Sequence, residues 1–460
     1  MGIPPNDAES PALRSARRVR AWLIALNAGL LLAALALGIA WSSRRALFLA
    51  ALVPVAFVPF SFARLRLHRA LERALATRPR LVAVLAGAGI VFDVILVAQL
   101  LTGRASSSPW ILSGPGVNWI GPVWFSAHGL LFLGYAIAGA IRSASRLARR
   151  LWERFAPPAS HEDARWDGSV ESPARREFLQ RAGLVGAGVP FFVSLSGVPL
   201  SYDLRVEEHE IELPHWPPSL DGFRVVHLSD IHVGGGMDRP RLLHMAELTN
   251  SCRPDLVAHT GDFLTHRTGD FDAPLYEALA QIRARHGQWA CLGNHDYDDP
   301  DRFTRRLAVA GVAVLRDGHT VIDVDGQPLE ISGAEYVSRG APRRDVYARL
   351  VSSWPRRSDA PRLLLNHDPS AFADLPDACA DLVLSGHTHG GHVGIQLGRD
   401  SAVTVVGLVG IPDQGLFSRG DMRLFVTRCV GFYGYPMRVG IPPEVALLVL
   451  RAPRPKGTVA

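Results

Sequence analysis

Phe223-Arg-Val-Val-His-Leu228-Ser229-Asp230-Ile231-His232 is a short apolar run that ends abruptly in polar, metal-competent side chains. Its first six residues carry no Gly or Pro and read as a buried strand. The figure recurs downstream. Residues 256–260 run into Gly261-Asp262, residues 288–292 into Gly293-Asn294-His295-Asp296, residues 362–365 into Asn366-His367, and residues 382–385 into Gly386-His387-Thr388-His389-Gly390-Gly391. Helical periodicity fills several gaps, at 240–250, 273–285 and 300–310, while residues 202–213 alternate like an edge strand. Later β-rich segments lie at 402–406, 423–428 and 445–450. The reading is a layered α/β or α+β domain over residues 201–460, long enough for one core.

In open α/β sheets the carboxyl edge of the strands is where sites form. A strand-end Asp alone is commonly a helix cap, Gly-Asp a turn, and a lone His a satisfied core residue. Five such pieces in order, each closing an apolar run, point to a metal site instead. Asp, His and Asn are oxygen and nitrogen donors that suit Mn, Fe or Zn, and no cysteine stands among them.

The ordered set D-x-H, G-D, G-N-H-D, H and G-H-x-H resembles the calcineurin-like metallophosphoesterase superfamily over residues 220–450. Leu228-Ser-Asp-Ile-His-Val-Gly, Gly386-His-Thr-His-Gly-Gly and Pro442-Pro-Glu-Val are similar, more narrowly, to membrane-anchored bacterial phosphoesterases. The resemblance implies an αββα sandwich and two divalent metal ions. It implies one ion on Asp230, His232, Asp262 and His389, a second on Asp262, Asn294, His367 and His387, a bridging Asp262 carboxylate, and His295 as general acid. Two cations roughly 3.5 to 4 Å apart can share a hydroxide, lower its pKa and hold the phosphoryl oxygens during in-line attack on a phosphomonoester or phosphodiester. Two positions depart from the pattern: Cys429 stands where Gly is usual and His392 where Gln is commoner.

Upstream, the character of the chain changes. Residues 21–41 and 120–141 carry no charge, 81–101 carry only Asp93, and 46–63 are broken by Pro54 and Pro59. These four runs make residues 1–150 an α-helical membrane domain, with a linker at 151–181 and a fifth apolar segment at 182–200. Residues 1–180 hold 21 Arg against 10 acids, and residues 181–460 hold 28 Lys+Arg against 33 acids. The arginines concentrate before the first run, between the second and third, and after the fourth, which places the N-terminus in the cytoplasm. Arg175-Arg176-Glu-Phe178-Leu179 ahead of the fifth segment resembles a twin-arginine export signal, so the export machinery is an expected partner alongside the bilayer and a phosphoester substrate. The catalytic half is then extracytoplasmic. Its acidic balance argues against a nucleic-acid partner. Asp93, deep in the third run, marks a functional residue or a carboxyl group bonded internally to His128 or Asn27. Cys252, Cys291, Cys379 and Cys429 allow one or two disulfides in such a compartment. The leading expectation is an integral-membrane dimetal phosphohydrolase acting on an envelope or lipid-linked phosphoester. The alternative is a transporter or sensor whose phosphoesterase-like domain binds ligand without turnover.

Overall fold

The computed structural model describes residues 18–19, 21–22, 24–25, 44–102, 120–155, 173–233, 237–265, 272–339, 341–354, 357, 359–398, 401–432 and 437–453. Most of the first expected span and of the linker lies outside them. The chain divides into two compact units, Met1–Leu195 and Ser196–Ala460.

The first unit is helical: α1 (Arg44–Ala74), α2 (Pro79–Thr102), α3 (Ile120–Phe155) and α4 (Pro173–Leu200), the last running past the unit's end. α1 passes through Pro54 and Pro59 and continues well beyond the apolar run at 46–63, because Leu65, Leu67 and Leu71 keep an apolar stripe on the arginine-rich turns that follow. Among the described residues, two stretches meet the length and hydropathy a bilayer span requires, Pro79–Leu96 and Val123–Trp152. Their apolar side chains face largely outward, Val84, Val91, Leu133 and Ile137 among them. Asp93 is fully buried and accepts from Trp124 Nε1 at 2.7 Å and Trp22 Nε1 at 3.1 Å, with Arg64 Nε 3.8 Å away. The expected partner His128 bonds instead to the Trp124 carbonyl, at 2.8 Å, and Asn27 lies outside the described residues. A buried carboxylate thus has a cation and two indole N–H donors.

The second unit runs β1 (Arg205–Glu212), β2 (Phe223–Leu228), α5 (Arg239–Ser251), β3 (Leu256–His259), α6 (Ala273–Leu279), β4 (Gln288–Ala290), α7 (Pro300–Val309), β5 (Val312–Val314), β6 (Gly318–Val324) and β7 (Gln327–Ala334). It continues with α8 (Arg343–Ser352), β8 (Arg362–Asn366), β9 (Leu382–Ser385), β10 (Gly394–Gln396), β11 (Ala402–Thr404), β12 (Gly415–Arg419), β13 (Met422–Val426) and β14 (Glu444–Arg451). The strands form two six-stranded mixed sheets, ordered β1-β14-β2-β3-β4-β5 and β12-β13-β9-β8-β7-β6, and a small β10-β11 ribbon. The sheets share a core that includes Val225, Leu256 and Leu448 from one and Ile331, Leu363 and Leu384 from the other. α5, α6 and α7 cover the outer face of the first sheet, and α8 that of the second. Burial on both faces explains why β3 and β9 read as unbroken apolar runs. β1 is an edge strand, as its alternation predicts, and pairs parallel with β14. All four cysteines are buried and free, so each acts as a small core residue and no disulfide is made.

Candidate metal centre

β2, β3 and β4 are parallel to one another in one sheet, β8 and β9 in the other, and the polar residues predicted from sequence follow the carboxyl ends of these strands. Asp230 lies two residues past Leu228. Its Oδ2 is saturated by Ser229 Oγ at 2.6 Å, the His387 backbone N–H at 2.8 Å and the Cys429 thiol at 3.2 Å. Its Oδ1 is left facing Nε2 of His389 at 3.3 Å and Nε2 of His232 at 3.7 Å.

Asp262 divides its oxygens in the same way. Oδ1 accepts the His295 backbone N–H at 2.9 Å, while Oδ2 lies 3.6 Å from His232 Nε2 and 3.4 Å from His367 Nε2. Two groups result, Asp230, His232 and His389, and Asp262, His367 and His387, each with its ligand atoms within 4.8 Å of one another. Asn294 Oδ1 joins the second group, 3.1 Å from His367 Nε2, which is itself 3.0 Å from His387 Nδ1. All seven residues named as ligands from sequence therefore converge. His295 stands outside both groups, half-buried, its ring 5.2 Å from that of His232.

The donor set fits divalent cations. Carboxylate, imidazole and amide oxygen suit Mn, Fe or Zn. The Thr260 carbonyl, 2.7 Å from His367 Nδ1, accepts a hydrogen bond from that nitrogen and turns Nε2 toward Asp262. Burial disfavours charge on His367, but the Asp262 and Asp230 carboxylates outweigh it and hold the imidazole up at about 10. Burial would raise Asp262, yet His367 holds it down at about 2, and His389 with His232 holds Asp230 well below the usual carboxylate range. The cluster demands positive charge between its carboxylates, and a bound cation meets that demand. Burial pushes His389 down to about 4, against the pull of the Asp230 carboxylate.

Backbone geometry marks the same residues. Asp230, His232, Asp262, His387 and His389 have φ between 51° and 67°, the left-handed region that non-glycine residues occupy at a cost of about 1–3 kcal/mol each. Two glycines admit the neighbouring carboxylates: a Cβ on Gly293 would lie 2.2 Å from Asp262 Oδ1, and one on Gly386 would lie 2.3 Å from Asp230 Oδ2.

Comparison with known proteins bears on this geometry directly. Residues 223–391, which contain all seven candidate ligands and His295, match the family model for calcineurin-like phosphoesterases. The chain carries a calcineurin-like phosphoesterase domain. It is 28% identical over 255 residues to YkoQ of Bacillus subtilis, an uncharacterized metallophosphoesterase, covering 53% of this chain and 89% of that one. It is 29% identical over 268 residues to a zebrafish protein, "Transmembrane protein with metallophosphoesterase domain", covering 54% of this chain and 57% of that one. Over 233 residues it is 27% identical to the phosphodiesterase YaeI of Escherichia coli, covering 50% of this chain and 82% of that one. These matches make the chain a hydrolase of phosphoester bonds.

The phosphoesterase domain also depends on residues whose roles the sequence conceals. Asp296 is buried behind the centre, with Oδ2 accepting from the backbone N–H of Asp262 at 2.8 Å and of Gly293 at 2.9 Å, and Oδ1 from that of Phe263 at 3.1 Å. Burial and the nearby Asp262 charge push Asp296 up to about 7, yet every one of these contacts is an N–H donor, which oxygens without a proton accept best. Asp296 thereby fixes the loops that carry Asp262 and Asn294. Cys429 has φ 66°, which explains why glycine is the usual residue there, and its thiol is spent on Asp230. Arg438 is fully buried and donates to the carbonyls of His389 at 3.2 Å and Arg428 at 2.6 Å, pinning the ligand loop from behind. His392, also at positive φ, packs against His389 with ring centroids 4.8 Å apart and the rings tilted by 37°.

Proposed function

We propose that the chain is a membrane-held phosphohydrolase that uses two divalent cations, of Mn, Fe or Zn type, to cleave a phosphomonoester or phosphodiester of the envelope outside the cytoplasm. The position of Asp262 Oδ2 carries the reading. It lies within 3.6 Å of a histidine nitrogen from each ligand group, where one carboxylate oxygen can serve both ions. Asp230, His232 and His389 would hold one ion with Asp262, and Asn294, His367 and His387 the other. Bound there, the pair supplies Lewis acidity toward the phosphoryl oxygens and a nucleophile of lowered pKa. The chain's own contribution is placement and proton traffic. The Thr265 carbonyl, 3.1 Å from His295 Nδ1, accepts a hydrogen bond from that nitrogen, so the ring would give a proton to a leaving alkoxide from Nε2 in its imidazolium form, with both nitrogens protonated. The outward-facing apolar surfaces of α2 and α3 support the membrane attachment, and the arginine distribution supports an N-terminus in the cytoplasm.

Removing the shared ligand should cost more than removing a terminal one. Asp262→Ala should abolish turnover of a nitrophenyl phosphoester with any added metal, whereas His232→Ala should recover partly at high metal concentration. Near-normal turnover by Asp262→Ala would refute the dimetal reading.

A further inference from the structure

Large apolar side chains are few on the described surface of the phosphoesterase unit, but they crowd in one place. Seven of the nine exposed ones in residues 196–460 fall within residues 395–416. In the β10-β11 ribbon Ile395 stands opposite Val403, so the two-residue period puts Leu397 and Val405 on the same face. That face points outward, with Ile395 67%, Leu397 68%, Val403 47% and Val405 62% exposed. Thr404, on the other face, is buried with its hydroxyl on Asp413. Apolar side out and polar side in is the reverse of a water-facing ribbon. The turn Gly407–Val409 extends the patch with Leu408 and Val409.

The ribbon is rooted in the metal centre. Thr388, between His387 and His389, donates to the Asp413 carbonyl at 2.7 Å, and Thr404 lies 2.6 Å from where a Cβ on Gly391 would stand. Ile411 and Pro412, next in the chain, also line a cavity of about 930 Å³ whose wall holds four arginines, Arg339, Arg343, Arg344 and Arg419, against two aspartates. Arg339 and Arg344 are the exposed members, each 3.7–3.8 Å from a carboxylate.

We propose that the 394–409 ribbon docks on a lipid surface, apolar face in the interfacial layer and arginine wall toward anionic headgroups, so that the substrate is a phosphoester at the membrane–water boundary. This deepens the phosphohydrolase reading and rests on it. Two observations favour a bilayer over a protein partner. The apolar helix Val185–Leu200 ends only four residues before β1 begins at Arg205, a tether of about 14–18 Å at most. The cavity wall is also basic in a half of the chain where acids outnumber Lys+Arg by 33 to 28.

The test uses the full chain in phosphatidylcholine–phosphatidylglycerol nanodiscs. Because the native cysteines are buried, a fluorophore on Leu408→Cys reports the ribbon, and one on Val309→Cys, an exposed position outside the ribbon, serves as control. Brominated acyl chains should quench the probe at 408 and iodide should not, with the reverse at 309. Quenching at 408 by iodide alone overturns the proposal, and so does shielding from both quenchers, which would mean a protein surface covers the ribbon. In parallel, Ile395→Ser with Leu408→Ser and Val409→Ser should lower hydrolysis of a phospholipid in the disc by at least about tenfold, the loss that a single partly buried apolar anchor would already give, while leaving a soluble nitrophenyl phosphoester untouched. Equal activity of this variant and wild type on the lipid also overturns it. Failure of the wild type on the soluble ester would instead strike the phosphohydrolase reading, which separates the two.

Discussion

A group that protonates a leaving alkoxide must sit beside the reacting centre without being consumed as a ligand, and His295 has that position. Its backbone N–H is spent on Asp262 and its Nδ1 on the Thr265 carbonyl, which fixes how the ring is held beside the centre. General acid catalysis contributes about 10² to 10⁴ in rate, and only where the leaving group is too basic to depart unaided. For His295→Asn we expect wild-type metal content, a drop of that size on an alkyl phosphoester and a much smaller one on a nitrophenyl ester, read by steady-state kinetics on the pair. Equal losses on both esters with metal depleted would make His295 a scaffold residue. The residues proposed as ligands stood out in the sequence because they follow the ends of five apolar runs in order, and their division between two ions came from the family resemblance. Asp296, Cys429 and Arg438 did not stand out in this way. Asp296 acts on backbone N–H groups brought together from two loops, and Cys429 is defined by a positive φ and a contact with Asp230, 199 positions away. No spacing rule encodes either.

At the scale of elements, β14 is locked by its first residue. Glu444 is buried and accepts from Thr427 Oγ1 at 3.0 Å, from the Arg428 backbone at 2.8 Å and from the Arg428 guanidinium at 2.6 Å, with His209 of β1 at 3.4 Å. Burial would raise this carboxyl group, but His209 and Arg428 prevail and hold it down at about 2. The folded value is below the ordinary one, so the stabilisation is fully present above about pH 4.3 and drains away as pH falls toward 2, on the order of 3 kcal/mol in all. Hydrogen exchange at β14 and β1 amides should show opening free energy falling across that window in wild type and staying flat, at a lower level, in Glu444→Gln. A flat wild-type profile would show that the cluster is not coupled to β14. The strands that frame the site could be read from sequence because burial on both faces leaves continuous apolar runs. β5, β6, β7, β10, β12 and α8 escaped that reading. β6 and β12 alternate mostly between half-buried and exposed residues at a sheet edge, and the Asp325-Gly326 turn with φ 55° and 90° was the available signal for the β6-β7 hairpin.

For the molecule as a whole, the arginine asymmetry and the catalytic geometry make separate demands. The proposed topology, read from charge, has the N-terminus inside and, after the fifth apolar segment, the phosphoesterase domain outside. A reporter active only outside the cytoplasm should work when fused after Asp203 and stay silent after Ala159; the opposite pattern would reverse the topology. Arg175→Lys with Arg176→Lys should block that export if the twin-arginine route is used, and normal export would leave an ordinary membrane span. The dimetal centre is tested most directly by loading the full chain with Mn²⁺ and recording its electron paramagnetic resonance together with metal content. A carboxylate bridge across about 3.5–4 Å predicts two ions per chain with an exchange-coupled spectrum, and loss of the coupling in Asp262→Asn. A single ion per chain, or two ions whose spectrum is uncoupled in the wild type, would contradict a shared Asp262.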